Sequence, residues 1–329
     1  MKKVIIILFA VMTIGFPLFA GGGKASGTAA KQPGQLTFGY ITQSLEFDWC
    51  KSSADAFEYA CAQKGVKSII MDPQNNLEKA MSQFEDLINQ KVDGISIYTL
   101  TPELDKQMAD RAKSAGIPVV FENGLPSPDT DYIACVACQY ADIGYAAMEY
   151  ISKKWPGAKI LYVQGAPGMG VLEEYMIGVE KGLKTFTNIS IVEMQPTDWG
   201  AELSLNVTQN VIQSGKSFDV VFANNEQMAT GVVVALKDAQ LMGKVKVVAT
   251  GGSPQGLEAI QKGELDATMS APVCIQGITT FKNLWMAVKG QTPPKFTPVP
   301  ILPIDKENLG DAMLWTSYDK AYSYVGGID

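Results

Sequence analysis

Between Phe222 and Gly231 the chain reads FANNEQMATG: two adjacent carboxamides, Asn224 and Asn225, close an apolar run containing Val220 and Val221 and open the helical pattern VVVALKDAQL. A carboxamide offers both a donor and an acceptor and is neither a nucleophile nor a strong acid, so the chemistry it suits is hydrogen bonding to a neutral hydroxylated ligand. Ligands of open α/β sheets settle outside the carboxyl ends of the strands, which is where these two residues stand. The chain has no histidine, which excludes triads built on an imidazole base and most catalytic zinc sites. Its single arginine, Arg111, falls in the solvated helical pattern 106–114, leaving no guanidinium fork for a phosphate or carboxylate. The expectation is a binder with no catalytic residue, no metal and no cofactor.

Five cysteines, Cys50, Cys61, Cys135, Cys138 and Cys274, leave at least one thiol free. Cys135 and Cys138 have the spacing of a redox or metal pair. They lie in the strand-like run YIACVACQY, however, where residues three apart point to opposite faces, so small buried side chains are expected instead.

The elements that must position such a site alternate regularly. From Leu36, β-rich runs (LTFGYI, KSIIMD, GISIYTL, PVVFEN, YIACVA) are separated by helical patterns near 48–64, 77–90 and 103–115. A second set follows: KILYVQG, ISIVEMQ, FDVVFAN, KVVATGG and ATMSAP, again with helices between. Near-continuous apolar strands alternating with helices predict parallel sheets covered on both faces. The fold class expected is α/β, two similar doubly wound parallel-sheet lobes joined by a hinge in a Venus-flytrap arrangement. The first lobe should comprise 36–137 plus 272–303 and the second 138–271 plus 304–329, with the aromatic-rich tail from Leu309 packing on the second.

Residues 1–20 read as a secretory signal, with Lys2 and Lys3 ahead of an apolar run too short for a strong membrane anchor, and 21–35 as a Gly-rich flexible leader. The localisation expected is the periplasm. Removing the signal leaves 25 basic against 34 acidic residues, a net charge of −9, which speaks against a nucleic-acid partner.

With this organisation the chain resembles the periplasmic sugar-binding proteins of ribose-binding type, substrate-binding components of ABC importers. The resemblance runs from about Leu36 to Asn308 on MDPQNNLEKAMSQFEDLINQKVDGI (71–95), AGIPVVFENG (115–124), VQGAPGMG (163–170), QPTDW (195–199), FANNEQMATG, GGSPQG (251–256) and IDKENL (304–309). It implies a monomeric periplasmic protein that delivers a sugar-like ligand to an ABC transporter permease, with a chemoreceptor as a further possible partner. Trp49, with Phe47 beside it, and Trp199 match the stacking positions, and Asn225 matches the asparagine after the FAxN strand. The remaining contacts implied are Ser44, Tyr98, Glu122, Asn123, Glu173, Gly251 and Ala271. At three of these the chain departs from the pattern: Glu122 then Asn123 stand for an acid followed by arginine, Glu173 for an arginine, and Gly251 for an aspartate.

Indole rings cover the C–H faces of a sugar while carboxylates and carboxamides bond its hydroxyl rim. An acidic pair without arginine suits an amine-bearing or cationic molecule as the alternative, through cation–π contact with tryptophan. On this reading Glu122 and Glu173 point into the cleft and make it negative. The loop Gly165 to Gly170 follows a strand and opens a helix, as the phosphate loop of a Rossmann-type enzyme does, but its spacing fits neither GxGxxG nor GxxxxGK[ST]. A repressor would need a DNA-binding module where the signal and leader stand.

Overall fold

The computed structural model describes residues 32–168 and 170–328; the expected signal and nearly all of the leader lie outside them. The first sheet is built from β1 (Thr37–Ile41), β2 (Lys67–Met71), β3 (Gly94–Tyr98), β4 (Val119–Asn123) and β5 (Ala134–Ala137), with α1 (Asp48–Gln63), α2 (Leu77–Asn89) and α3 (Pro102–Ala115) between successive strands. The second follows as α4 (Tyr140–Lys154), β6 (Lys159–Gln164), α5 (Val171–Thr185), β7 (Ser190–Pro196), α6 (Ala201–Gln213), β8 (Val220–Ala223), α7 (Glu226–Asp238), β9 (Lys246–Gly251), α8 (Pro254–Lys262) and β10 (Ala267–Ser270). The chain then returns through α9 (Val273–Val288), β11 (Phe296–Pro298), β12 (Leu302–Asp305) and α10 (Tyr318–Val325).

Sheet order is β11-β5-β4-β3-β1-β2 in the first lobe and β12-β10-β9-β8-β6-β7 in the second, so the two are built alike. All pairings are parallel except that of β12 with β10. This is the doubly wound Venus-flytrap architecture the strand and helix alternation predicts. Burial on both faces explains why its strands read as apolar runs: all five residues of β3, GISIY, are buried. Local start signals agree with the elements. Asn76, Thr101 and Ser253 cap α2, α3 and α8 by accepting from the backbone amides of Lys79, Leu104 and Gly256, and proline opens α3 and α8.

Strand order reverses between β1 and β3 in the first sheet and between β6 and β8 in the second, and the carboxyl ends at those switch points are where a ligand crevice forms. The chain passes between sheets after β5, after β10 and after β11. Pro303, expected at the last passage, is already paired with Met269 in the second sheet, so that passage falls at Val299–Ile301.

The tail departs from expectation. A short 3-10 helix, Leu309–Asp311, packs on α8 and β12 of the second lobe, but α10 packs on α9 and α1 of the first. Tyr318, Ala321, Tyr322 and Val325 recur every three or four residues and form the stripe that joins the first-lobe core, with Ala321 fully buried. The stretch 312–317 is thus a fourth passage between the lobes. All five cysteines are buried and free, and Cys135 and Cys138 belong to different core clusters.

Candidate functional site

On the first lobe, the loop after β1 leads into α1. Ser44 is buried and builds the turn: its Oγ accepts from the Glu46 amide at 3.3 Å and its carbonyl from the Phe47 amide at 3.3 Å. Phe47, the N-cap of α1, is 46% exposed. Trp49, in the first turn of α1, is half-buried and packs on the core cluster that covers one face of the second sheet and runs through Val136 and Val299 at the passages. Its Nε1 is buried with no hydrogen-bond partner among the described residues. Tyr98 ends β3, is buried and lies beside the Cys50 thiol, and burial holds its phenol well above the ordinary range.

At the end of β4, Asn123 takes a left-handed backbone, φ 73°, and its Oδ1 accepts from the Tyr140 hydroxyl at 3.0 Å. Tyr140 opens α4, and its ring meets that of Tyr175 at 5.2 Å, so this bond reaches across the hinge. Glu122 does not face the cleft. Its carboxylate is fully buried, accepts from the Tyr40 hydroxyl, and lies 3.1 Å from Ser53 Oγ through each oxygen, with Gln276 and Thr280 of α9 as further partners. Alternation along β4 explains the direction: Val120, two residues earlier, belongs to the core against α1 and α9, and Glu122 shares that face. Burial pushes its carboxyl up to about 7.

On the second lobe, Trp199 follows β7 with φ 70° and lays its indole against Gly165, where a Cβ would stand 2.2 Å from the ring. Only glycine admits that approach. Asn225 is committed on both ends: Oδ1 accepts from the Met228 amide at 2.6 Å as the N-cap of α7, and Nδ2 donates to the Trp199 carbonyl at 3.2 Å. Asn224 is buried and serves the strand ends, its Oδ1 accepting from the Gly165 amide at 3.0 Å and its Nδ2 donating to Tyr162. The two carboxamides expected to face a ligand thus build the platform that holds Trp199. Glu173 is exposed, and its Oε1 accepts from the Gly168 amide at 2.7 Å, which keeps its carboxyl below the usual range. That bond closes the Gly165 to Gly170 loop instead of reaching the cleft.

Gly251, at the end of β9, has φ 129°, and a Cβ there would meet the Glu226 carboxylate at 2.3 Å. Ala271 is buried and donates its amide to the Gly251 carbonyl at 3.0 Å. Glu226, the first residue of α7, is a site-proximal acid that sequence reasoning missed: its Oε1 accepts from the Gly252 amide and from Thr268 Oγ1, and burial pushes its carboxyl up to about 7. The signal available was the glycine pair at 251–252, which leaves room for that carboxylate. Trp315 was missed as well. From the tail its Nε1 donates to the Gly251 carbonyl at 3.2 Å, and its ring meets Trp49 edge-on at 5.2 Å and 90°.

The structure therefore brings Trp49, Trp315, Gly251 and Ala271 into one chain of contacts, joins Asn123 to Tyr140, and groups Trp199, Gly165 and Asn225 on the second lobe. Arg111 pairs with Glu85 at 2.9 Å on the exposed α2/α3 side. A cavity of about 710 Å³ lies behind the hinge against α9 and the Val299–Ile301 passage, and shares no residue with the expected site.

Comparison with known proteins adds the following. The Periplasmic binding protein domain matches residues 38–292. The ribose import binding protein of Salmonella typhimurium is 28% identical over 240 residues, 71% of this chain and 78% of that protein. The D-allose-binding periplasmic protein of Escherichia coli is 26% identical over 254 residues, 74% of this chain and 79% of that one. Among solved structures, an ABC transporter solute-binding protein from Bacillus halodurans with bound myo-inositol superposes with a TM-score of 0.77 at 23% identity, over 87% of this chain and 99% of that one. One from Actinobacillus succinogenes with bound D-allose gives 0.78 at 22%, over 84% and 100%.

Proposed function

The chain belongs to the periplasmic binding protein domain family, and on that premise we propose that it is an extracytoplasmic solute-binding protein that captures a sugar or polyol and delivers it to an ABC transporter permease. The observation that carries the reading is the set of tryptophans, Trp49, Trp315 and Trp199, standing at the carboxyl ends of strands in both lobes. Indole faces and edges suit the C–H faces of a ring sugar, and the buried, unpartnered Trp49 Nε1 supplies a donor for its hydroxyls. Relatives are named for ribose, allose, fructose and rhizopine, and the two structures above hold myo-inositol and D-allose. The lobes close on the ligand by bending at the passages between them.

The charge of the site argues for a neutral ligand. Glu122 is turned into the first-lobe core, Glu226 is enclosed under the β9–α8 turn, and Glu173 is tied to Gly168. The negative cleft expected from Glu122 and Glu173 is thus not built, and the amine-bearing alternative loses its carboxylate partners. A binder needs no catalytic constellation.

The test is calorimetry with D-ribose, D-allose and myo-inositol, alongside ribose 5-phosphate and glucosamine, together with mass spectrometry of the small molecule retained on gentle isolation. The reading expects saturable binding of a neutral sugar or polyol. Preference for the phosphate or for the amine overturns it.

A further inference from the structure

Trp315 sits in a turn outside any helix or strand, yet it is only 6% exposed. Its backbone is held to the first lobe on both sides. The Leu314 carbonyl accepts from the Cys274 thiol at the start of α9, and three residues on, α10 begins and docks on α9 and α1. Its side chain reaches the other way, to the carboxyl end of β9 in the second lobe, where Nε1 donates to the Gly251 carbonyl. Gly251 and the neighbouring Ala271 carry no polar side chain of their own, and the Glu226 carboxylate beside Gly251 is taken by the Gly252 amide and Thr268. Beside its ring, Trp49 keeps a buried Nε1–H without an acceptor among the described residues. Buried donors are nearly always paired, so an unpaired one at the edge of an aromatic wall points to an acceptor that arrives with a ligand.

We propose that Trp315, carried on the C-terminal tail, is a wall of the ligand site and determines its specificity on the β9 side, where it takes the place of a polar side chain from the strand end. The assignment rests on the sugar-binding reading above. Trp315 travels with the first lobe and meets the second at Gly251, so closure forms the Nε1 to Gly251 bond at the same time as it encloses the ligand. The chemical class it selects is a ring polyol that offers one C–H face to the indole and a hydroxyl acceptor to Trp49.

The experiment uses the full chain labelled with fluorotryptophan and read by fluorine NMR, with Trp315→Phe and Trp49→Phe assigning their resonances. D-ribose, D-allose and myo-inositol are titrated in. The Trp315 and Trp49 resonances should move together with whichever of the three binds. Trp315→Ala should weaken that binding by about tenfold or more, and Trp315→Phe, which keeps a ring and loses the indole donor, by less. The proposal is overturned if the Trp49 resonance moves while that of Trp315 does not, or if Trp315→Ala binds as wild type. If none of the three moves any tryptophan signal, the sugar reading fails on its own, and solvent access decides the placement of the indole. A Trp315 resonance that shows no solvent isotope shift between light and heavy water then supports a sealed position in the cleft, and a full shift overturns it.

Discussion

Replacing Glu122 with glutamine should make the protein less sensitive to pH and more stable in mild alkali. The carboxyl is fully buried and pushed from 4.5 to about 7, with desolvation as the largest cause, opposed by hydrogen bonds from Tyr40 and Ser53. Folding therefore raises its proton affinity. Between the two values the native state holds more protons than the unfolded chain, so stability is fully present below about pH 4.5, falls as pH rises and levels off above about 7. At 1.36 kcal/mol per unit the loss is about 3 kcal/mol, or on the order of 10 °C in melting temperature for a unit of this size. The group is wholly enclosed, so solvent screening does not reduce this figure. Glutamine keeps the shape and the acceptor, and its new amide N–H has a nearby candidate acceptor in Gln276 Oε1, a buried atom without a partner. Glu226 carries a shift of the same size in the other lobe. The Glu122 contribution, that of Glu226 and that of Asp105, whose carboxyl burial pushes from 3.8 to about 7, should add because the sites share no partners, so Glu122→Gln should remove about a third of the wild-type decline between about pH 5 and pH 8. Thermal melts by circular dichroism across that range provide the measurement. An unchanged slope in Glu122→Gln, or a variant less stable than wild type at about pH 8, refutes the argument.

Three further outcomes follow from the same geometry. Tyr40→Phe removes a donor to the Glu122 carboxylate and should cost about 1.5–3 kcal/mol above neutral pH, where the group is ionised, and less near pH 5; denaturant titrations at the two pH values provide the check. Gly165→Ala puts a methyl group 2.2 Å from the Trp199 ring, so the indole must move; circular dichroism should be unchanged while sugar affinity drops, and wild-type affinity would show that Trp199 is not where the ligand sits. Trp199→Ala should cost about 1–3 kcal/mol of binding free energy by calorimetry with melting retained, and undiminished affinity would remove it from the site.

Much of the architecture is legible in the residues because parallel strands enclosed on both faces read as largely apolar runs, as VVFA does and as GISIY does apart from Ser96, and because helix starts carry their own caps at Asn76, Thr101 and Ser253. Side-chain direction was much less legible. In VVFEN the alternation states that Val120 and Glu122 share a face, but not which face meets α1 and α9, and that choice sends the carboxylate into the core. Asn225 shows two rules in competition. A carboxamide at a strand end suits a ligand, and a carboxamide at a helix start suits a cap; here the cap takes Oδ1, and the Trp199 carbonyl takes Nδ2. The destination of the tail depends on a groove between α1 and α9 that exists only after the chain has returned to the first lobe, so no local pattern between Leu309 and Val325 could reveal it.

Gly251 shows why a site position and the group that fills it need not come from the same residue. The resemblance led to the expectation of an acid there, and an acid is present, but it reaches the spot from Glu226 and is spent on Gly252 and Thr268. The carbonyl of Gly251 is in turn taken by Trp315 from the tail. On the proposed reading, Glu122 and Glu226 are enclosed and Glu173 is tied to a backbone amide, so these three carboxylates give the site little charge with which to discriminate. Shape and the C–H faces that three indoles can cover must then carry most of the selectivity, which makes the stereochemistry of a neutral ring, more than its charge, the property on which its ligands should differ.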